Sequence, residues 1–202
     1  MITNHGVRVT PEFSYGLRND LEAGAYLPLM QVDGEGNFHL VGAKLRLKYL
    51  PYQLEEGKDG WFAGANVELS YVGKKFSESR WSTELRPIIG FKSGVWKLAF
   101  NPILGWDLSD GFQDWEPDFS PSMKLTREVA KGLSVGVEYY SDLGKIGHIL
   151  PWNEQDNRIY GVVEVDMEPY VFSVGVGRGL TESSDPWTIK AIVDVPLQKK
   201  AK

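Results

Sequence analysis

The sequence predicts an all-β protein, an antiparallel up-and-down transmembrane barrel of the outer-membrane kind. Three observations predict it. Hydrophobicity has a period of two along nearly the whole chain. Connections alternate between short and long. Aromatic residues gather at both ends of the apolar strand faces.

The period is clearest at Leu133 to Asp142. Leu133, Val135, Val137 and Tyr139 share one face, and Ser134, Gly136, Glu138, Tyr140 and Asp142 share the other. Successive side chains of a strand point to opposite faces, whereas a helix would mix the two sets. The pattern recurs in eleven segments, near 7–17, 21–31, 38–49, 61–72, 81–92, 95–108, 119–129, 133–142, 158–167, 170–179 and 187–197. No linker or low-complexity stretch divides the 202 residues, so one barrel domain over 1–202 is expected.

Short turns fall at Arg18-Asn19-Asp20, Ser93-Gly94, Ala130-Lys131-Gly132 and Glu168-Pro169. Longer connections fall at 32–37, 73–80, 109–118, 143–157 and 180–186. Short turns on one side and long loops on the other suit an outer-membrane barrel. The 50–60 connection is longer than its side predicts.

Alternation does not say which face points inward; the aromatic residues decide. With short turns placed on the periplasmic side, Tyr15, Tyr49, Trp61, Phe91, Trp96 and Tyr170 cluster at that end of the apolar face. Tyr71, Trp81, Trp106, Tyr139 and Trp187 cluster at the other. Aliphatics such as Val67, Leu69, Ile89, Leu98 and Val135 lie between. Rings at both water interfaces with aliphatics between them form membrane girdles. A strand preference for aromatics alone would scatter them.

The polar face then becomes the lumen lining. It carries Arg8, Glu12, Glu22, Lys44, Arg46, Lys48, Glu68, Glu84, Arg86, Lys97, Lys124, Glu138, Arg158, Glu164 and Lys190. Inside a narrow barrel these charges require partners or water. Gly24, Gly42, Gly64, Gly90, Gly105, Gly136, Gly175 and Gly177 share that face and leave room for long side chains. Pro11, Pro87, Pro102 and Pro121 oppose the picture. They lie inside predicted strands, where proline removes a ladder hydrogen bond.

Composition narrows the classes. Cysteine is absent, so disulfides and thiolate metal sites are excluded. A net charge of −5 argues against nucleic acid as a partner. No run of 18 apolar residues exists, which excludes a transmembrane helix but not a spanning strand of about 9–11 residues. Met1 to Gly6 has neither the charged nor the apolar region of a signal peptide. Bacterial barrels have an even strand number with both ends usually periplasmic. Eleven strands therefore lead to the expectation of a twelve-stranded parent whose signal peptide and first strand precede this chain.

The segments "TPEFSYGLRNDLEAGAYLPL" (Thr10–Leu29) and "VGVGRGLTESSDPWTIKAIV" (Val174–Val193), with "ELRPIIGF" and "FNPILGW", resemble Gram-negative outer-membrane barrels. In particular the chain resembles a porin-like group, some members of which are associated with aromatic-degradation pathways. The resemblance implies an outer-membrane location and barrel architecture, with no catalytic residues to carry over. Such barrels usually end on an aromatic residue, whereas this chain ends Pro196-Leu197-Gln198-Lys199-Lys200-Ala201-Lys202.

Catalytic signals are weak. His5, His39 and His148 fall at a terminus or near predicted loops, and none has a serine partner with a recognisable local signature. "GVGVGRG" lacks the strand-then-helix context of a phosphate loop and reads as small lumen-facing residues. Asp107, Asp110, Asp114, Glu116 and Asp118 offer hard oxygen ligands without EF-hand spacing, so a solvated acidic loop is expected. Ile149, Leu150, Pro151 and Trp152 form an apolar cluster in a long loop.

The expected function is a narrow channel or transporter for small polar or aromatic solutes, without a cofactor, in contact with outer-membrane lipids. The basic row Lys44, Arg46 and Lys48 opposite Glu68, Glu84 and Glu138 suggests a transverse field selecting polar solutes. The alternatives are a plugged barrel working through its loops and, last, a lipid-modifying outer-membrane enzyme.

Overall fold

The structure is a computed structural model and describes residues 6–55, 57–113 and 115–195. Among these residues it is all-β, with no helix. Its strands are β1 (Val7–Val9), β2 (Glu12–Arg18), β3 (Leu21–Val32), β4 (Phe38–Tyr52), β5 (Gly60–Val72), β6 (Trp81–Ser93), β7 (Trp96–Asn101), β8 (Leu104–Asp107), β9 (Asp118–Phe119), β10 (Ser122–Ala130), β11 (Leu133–Asp142), β12 (Gly144–Lys145), β13 (His148–Ile149), β14 (Asp156–Met167), β15 (Tyr170–Gly179) and β16 (Trp187–Asp194).

The main sheet runs β1-β3-β4-β5-β6-β7-β10-β11-β14-β15-β16, with β2 also on β3 and β8 also on β6. The ladders are antiparallel and join sequence neighbours, an up-and-down order. Among the described residues no ladder joins β1 or β2 to β16, so closure of the sheet is not seen. The chain divides into two compact units. The first comprises Met1–Gln53, Ala63–Pro87 and Ile103–Asp118; the second comprises Leu54–Phe62, Ile88–Pro102 and Phe119–Lys202.

The four short turns are two-residue hairpins, closed by Arg18↔Leu21, Ser93↔Trp96, Ala130↔Leu133 and Met167↔Tyr170. Glycine is required at two of them. Gly94 has φ +56° and Gly132 φ +73°. A Cβ on Gly132 would also lie 2.7 Å from the Asp166 carbonyl oxygen, which accepts no substitute there without a backbone shift.

The prolines correct three expected strands. Segment 7–17 is two strands, β1 and β2, parted at Thr10-Pro11, with the Pro11 carbonyl accepting the Leu27 N–H at 3.1 Å. Segment 95–108 is β7 and β8, parted at Pro102-Ile103. The β6/β7 ladder stops at Ile89↔Phe100 and the β6/β8 ladder starts at Leu85↔Leu104. Pro87 lies in β6 between these two ladders. Segment 119–129 breaks at Ser120-Pro121, whose carbonyl accepts the Ser141 N–H at 3.1 Å. The missing N–H groups thus fall where ladders already end.

Three connections also differ. The expected loop 143–157 contains the hairpin β12/β13, with Gly144↔Ile149 and Lys145↔His148, and β14 starts at Asp156. The 50–60 connection shrinks to 53–59 because β4 continues to Tyr52. The end of the expected strand 187–197, and the chain's last residues, lie outside the described residues.

Burial is inverted relative to a protein with an apolar core. Among the described residues the buried apolar side chains are Tyr160 and Val162, whereas Asn66, Glu68, Ser70, Thr126, Glu138 and Asn157 are among the buried polar ones. Large aliphatics stand exposed on the other face: Leu45 is 57% exposed and Ile189 77%.

Candidate functional site

The alternating pleat puts the expected charged set on one sheet face, and the register decides which charges meet. In the first unit, β4 carries Lys44, Arg46 and Lys48 at alternate positions between β3 and β5. Lys48 is opposite Glu22 and Arg46 is opposite Glu68. Arg46 Nη1 lies 2.6 Å from Glu12 Oε1, and its Nη2 pairs with Glu22. Lys48 stands 3.9 Å from Glu22. Lys44 Nζ donates to Glu68 Oε2 at 2.6 Å and lies 3.8 Å from Glu84. Arg86 Nε donates to Glu84 Oε2 at 2.8 Å, and its Nη2 lies 3.4 Å from Glu68.

Lysine, arginine and glutamate have the length to meet diagonally across adjacent strands. Glycine provides the space. A Cβ on Gly24, opposite Arg46, would lie 3.2 Å from Arg46 Nε. Glu68 is only 2% exposed, and Asn66 Nδ2 donates to its Oε1 at 3.1 Å. Such a carboxylate requires its cations, because an unpaired charge out of water costs several kcal/mol or more. Arg46 Nε and Asn66 Oδ1 are buried without a partner.

In the second unit, Glu138 is the centre. Lys124, directly opposite it on β10, lies 2.9 Å from its Oε1. The Tyr140 hydroxyl donates to its Oε2 at 2.7 Å, and Lys190 pairs with the same oxygen. Lys124 also reaches Glu164 at 2.5 Å. Lys190 starts on β16, three strands from Glu138 on β11. In a flat sheet that separation is roughly 14 Å. Their contact therefore requires the polar face of this unit to curve inward. Gly175 makes the crossing feasible, since a Cβ there would lie 3.0 Å from Lys190 Cε. The ammonium ends 4.9 Å and 4.8 Å above the rings of Tyr140 and Tyr160. Gly177 and Gly90 similarly leave space for the Tyr160 and Phe62 rings. Lys97 Nζ stands 5.3 Å over Phe62. Arg158 is clamped by Asp156, with Nε 2.7 Å from Oδ1, and lies 3.3 Å from Asp185. Arg8 is exposed on β1.

The aromatic set lies mostly on the exposed face. Trp61, 70% exposed, packs on Phe91 at 4.9 Å between centroids. Tyr71 packs on Trp81 at 5.0 Å. Tyr15, Tyr49 and Tyr170 are exposed. Trp96 and Trp187 are also exposed and carry Arg127 and Arg178 over their rings at 5.4 Å and 4.9 Å. These two cations are register partners of those tryptophans, a pairing invisible without the register.

Two expected girdle residues behave differently. Trp106 is half-buried, and its Nε1 donates to the Trp115 carbonyl at 3.3 Å. Tyr139 donates its hydroxyl at 2.6 Å to Oδ1 of Asn157, a fully buried residue that sequence reasoning missed. Ser141 donates to the same oxygen, and Ser184 Oγ accepts the Asn157 N–H at 2.8 Å. Loop residues thus cover this end of the apolar face in place of solvent.

His39 is half-buried beside Asp33. Its Nε2 is 2.8 Å from Asp33 Oδ2, and Lys75 Nζ is 3.3 Å from Nδ1. Asp33 Oδ1 also accepts the N–H groups of Glu35 and Asn37 at 3.0 Å and 2.9 Å. These bonds, the one from His39 foremost, hold the Asp33 carboxyl well below the usual carboxylate range. His148 sits on β13, while His5 and Asp114 lie outside the described residues. Among the described residues no three His, Asp or Glu side chains converge as a metal site, in the acidic loop or elsewhere.

No protein-family model, no curated protein and no solved structure matches this chain.

Proposed function

We propose that this chain is an outer-membrane β-barrel whose polar face lines a narrow path for small polar solutes. The observation that carries the reading is the inverted burial: Glu68 and Glu138 are buried while Leu45, Leu69, Val137 and Ile189 are exposed. In water such an apolar surface is a liability; against lipid chains it is the stable arrangement. Spacing agrees. β5 carries Trp61 and Tyr71 ten residues apart. That is roughly 33 Å of strand, or roughly 25 Å of height at a tilt of about 40°, the height of a barrel's apolar band. The inward curvature of the second unit also supports a barrel. The sequence resemblance points the same way.

The test is reconstitution into planar bilayers with parallel liposome swelling. Discrete, small conductance steps and uptake of small polar solutes are expected. The absence of both conductance and uptake would sink the channel reading. Conductance is also what separates it from a plugged barrel, a second reading favoured by the ion pairing of Glu68 and Glu138.

A further inference from the structure

We infer that the second unit holds a binding site for a small zwitterion, a molecule with a carboxylate and an ammonium on one short chain. The site is a cavity of about 330 Å³ beside the Gly94 and Gly132 turns, on the same polar sheet face. Its size is at the lower end of small-molecule pockets.

Charge placement selects the ligand. Lys92 on β6 and Lys97 on β7 are register partners and both line the cavity. Like charges directly opposite across a ladder repel. The ion pairs that quiet the other lysines of this face, Lys124 and Lys190, have no counterpart here. No carboxylate of the described residues lies within ion-pair distance of Lys92 or Lys97, although Lys97 has the Phe62 ring. Three carboxylates also line the cavity: Glu164, which pairs with Lys124, and Glu128 and Asp166, which have no cation within ion-pair distance among the described residues. Thr126 and Ser134 add hydroxyls.

Two cations and two carboxylates, none of them in an ion pair among the described residues, therefore share one cavity, with Lys97, Glu128 and Asp166 exposed to water and Lys92 half-buried. A ligand carboxylate bound by Lys92 and Lys97 relieves the first pair, and its ammonium at Glu128 and Asp166 satisfies the second. A simple anion or a simple cation relieves only half. This site does not depend on the channel reading, since binding needs no ion flow.

The experiment is calorimetric titration of the purified full chain in detergent with 4-aminobutyrate, butyrate and butylamine. 4-Aminobutyrate is expected to bind at least about tenfold more tightly than either singly charged analogue. Lys92→Gln, Lys97→Gln and Glu128→Gln should each weaken it by about tenfold, while Lys92→Arg retains it. An unchanged β-sheet circular dichroism spectrum certifies that each variant is folded. Butyrate binding as tightly as 4-aminobutyrate, no binding by any probe, or indifference to the lysine substitutions in folded protein would each overturn the inference. Binding without conductance would retire the channel and leave this site standing; conductance without binding would do the reverse.

Discussion

Lys44 Nζ meets Glu68 Oε2 at 2.6 Å on a sheet face where Glu68 is 2% exposed, while the neighbouring Leu45 and Leu69 point outward into the surroundings. The pair combines what defines this fold, a buried charge beside an exposed aliphatic. Removing one partner leaves the other charge in place without full compensation. Lys44→Met is expected to destabilise the protein by about 3 kcal/mol, less whatever Arg86 recovers from its 3.4 Å position beside Glu68. Lys44→Met/Glu68→Gln should cost less than the sum of its two single substitutions. Urea unfolding in lipid vesicles measures the cycle, and strict additivity would argue against a coupled pair.

The outward face makes the opposite prediction about a new charge. Leu47 lies mid-strand on β4 and is exposed. At such a position in a soluble sheet, Leu47→Arg would be nearly neutral. In a bilayer it should cost about 2–4 kcal/mol near the midplane. Ser14→Arg, at the polar face of β2, serves as the comparison. Equal folding yields of Leu47→Arg and the parent in vesicles would count against membrane insertion of this face.

Gly90 tests the packing of the polar face. A methyl group there would overlap the Phe62 ring. Gly90→Ala should destabilise by about 1–3 kcal/mol through overpacking. Phe62→Leu should relieve part of that loss in the double variant, as read from thermal unfolding. A Gly90→Ala protein of parental stability would mean that the ring moves freely aside.

The Asp33 loop should respond to acid. Its carboxyl has a depressed pKa in the folded protein, held down first by His39 and then by the Asn37 N–H. A depressed folded pKa contributes stability above the unfolded value, about 3.9, and loses it as pH falls further toward the folded value. Protection of the amides across 33–37, taken relative to their intrinsic exchange at each pH, should therefore hold at pH 5 and fall at acidities below about pH 4. Asp33→Asn should abolish that dependence. Protection unchanged down to pH 2 in the parent would remove the carboxylate from the explanation.

The sequence by itself determined the strand periodicity, the two faces and the places of the four short turns, which the structure closes as two-residue hairpins at Arg18-Leu21, Ser93-Trp96, Ala130-Leu133 and Met167-Tyr170. These features are local: the pleat alternates side chains within one strand, and turn residues act over four positions. It also put most of the charged set on one face. Tertiary structure alone decided which charges pair, because Lys190 meets Glu138 across intervening strands over a glycine whose register no local pattern announces. It decided that Tyr139 serves the buried Asn157, since that depends on loop 180–186 folding back. It also left Lys92 opposite Lys97, a repulsion that adjacent strands create and single-strand reading does not see. Pairing across strands is a long-range outcome of register, and register is settled by the whole sheet packing at once.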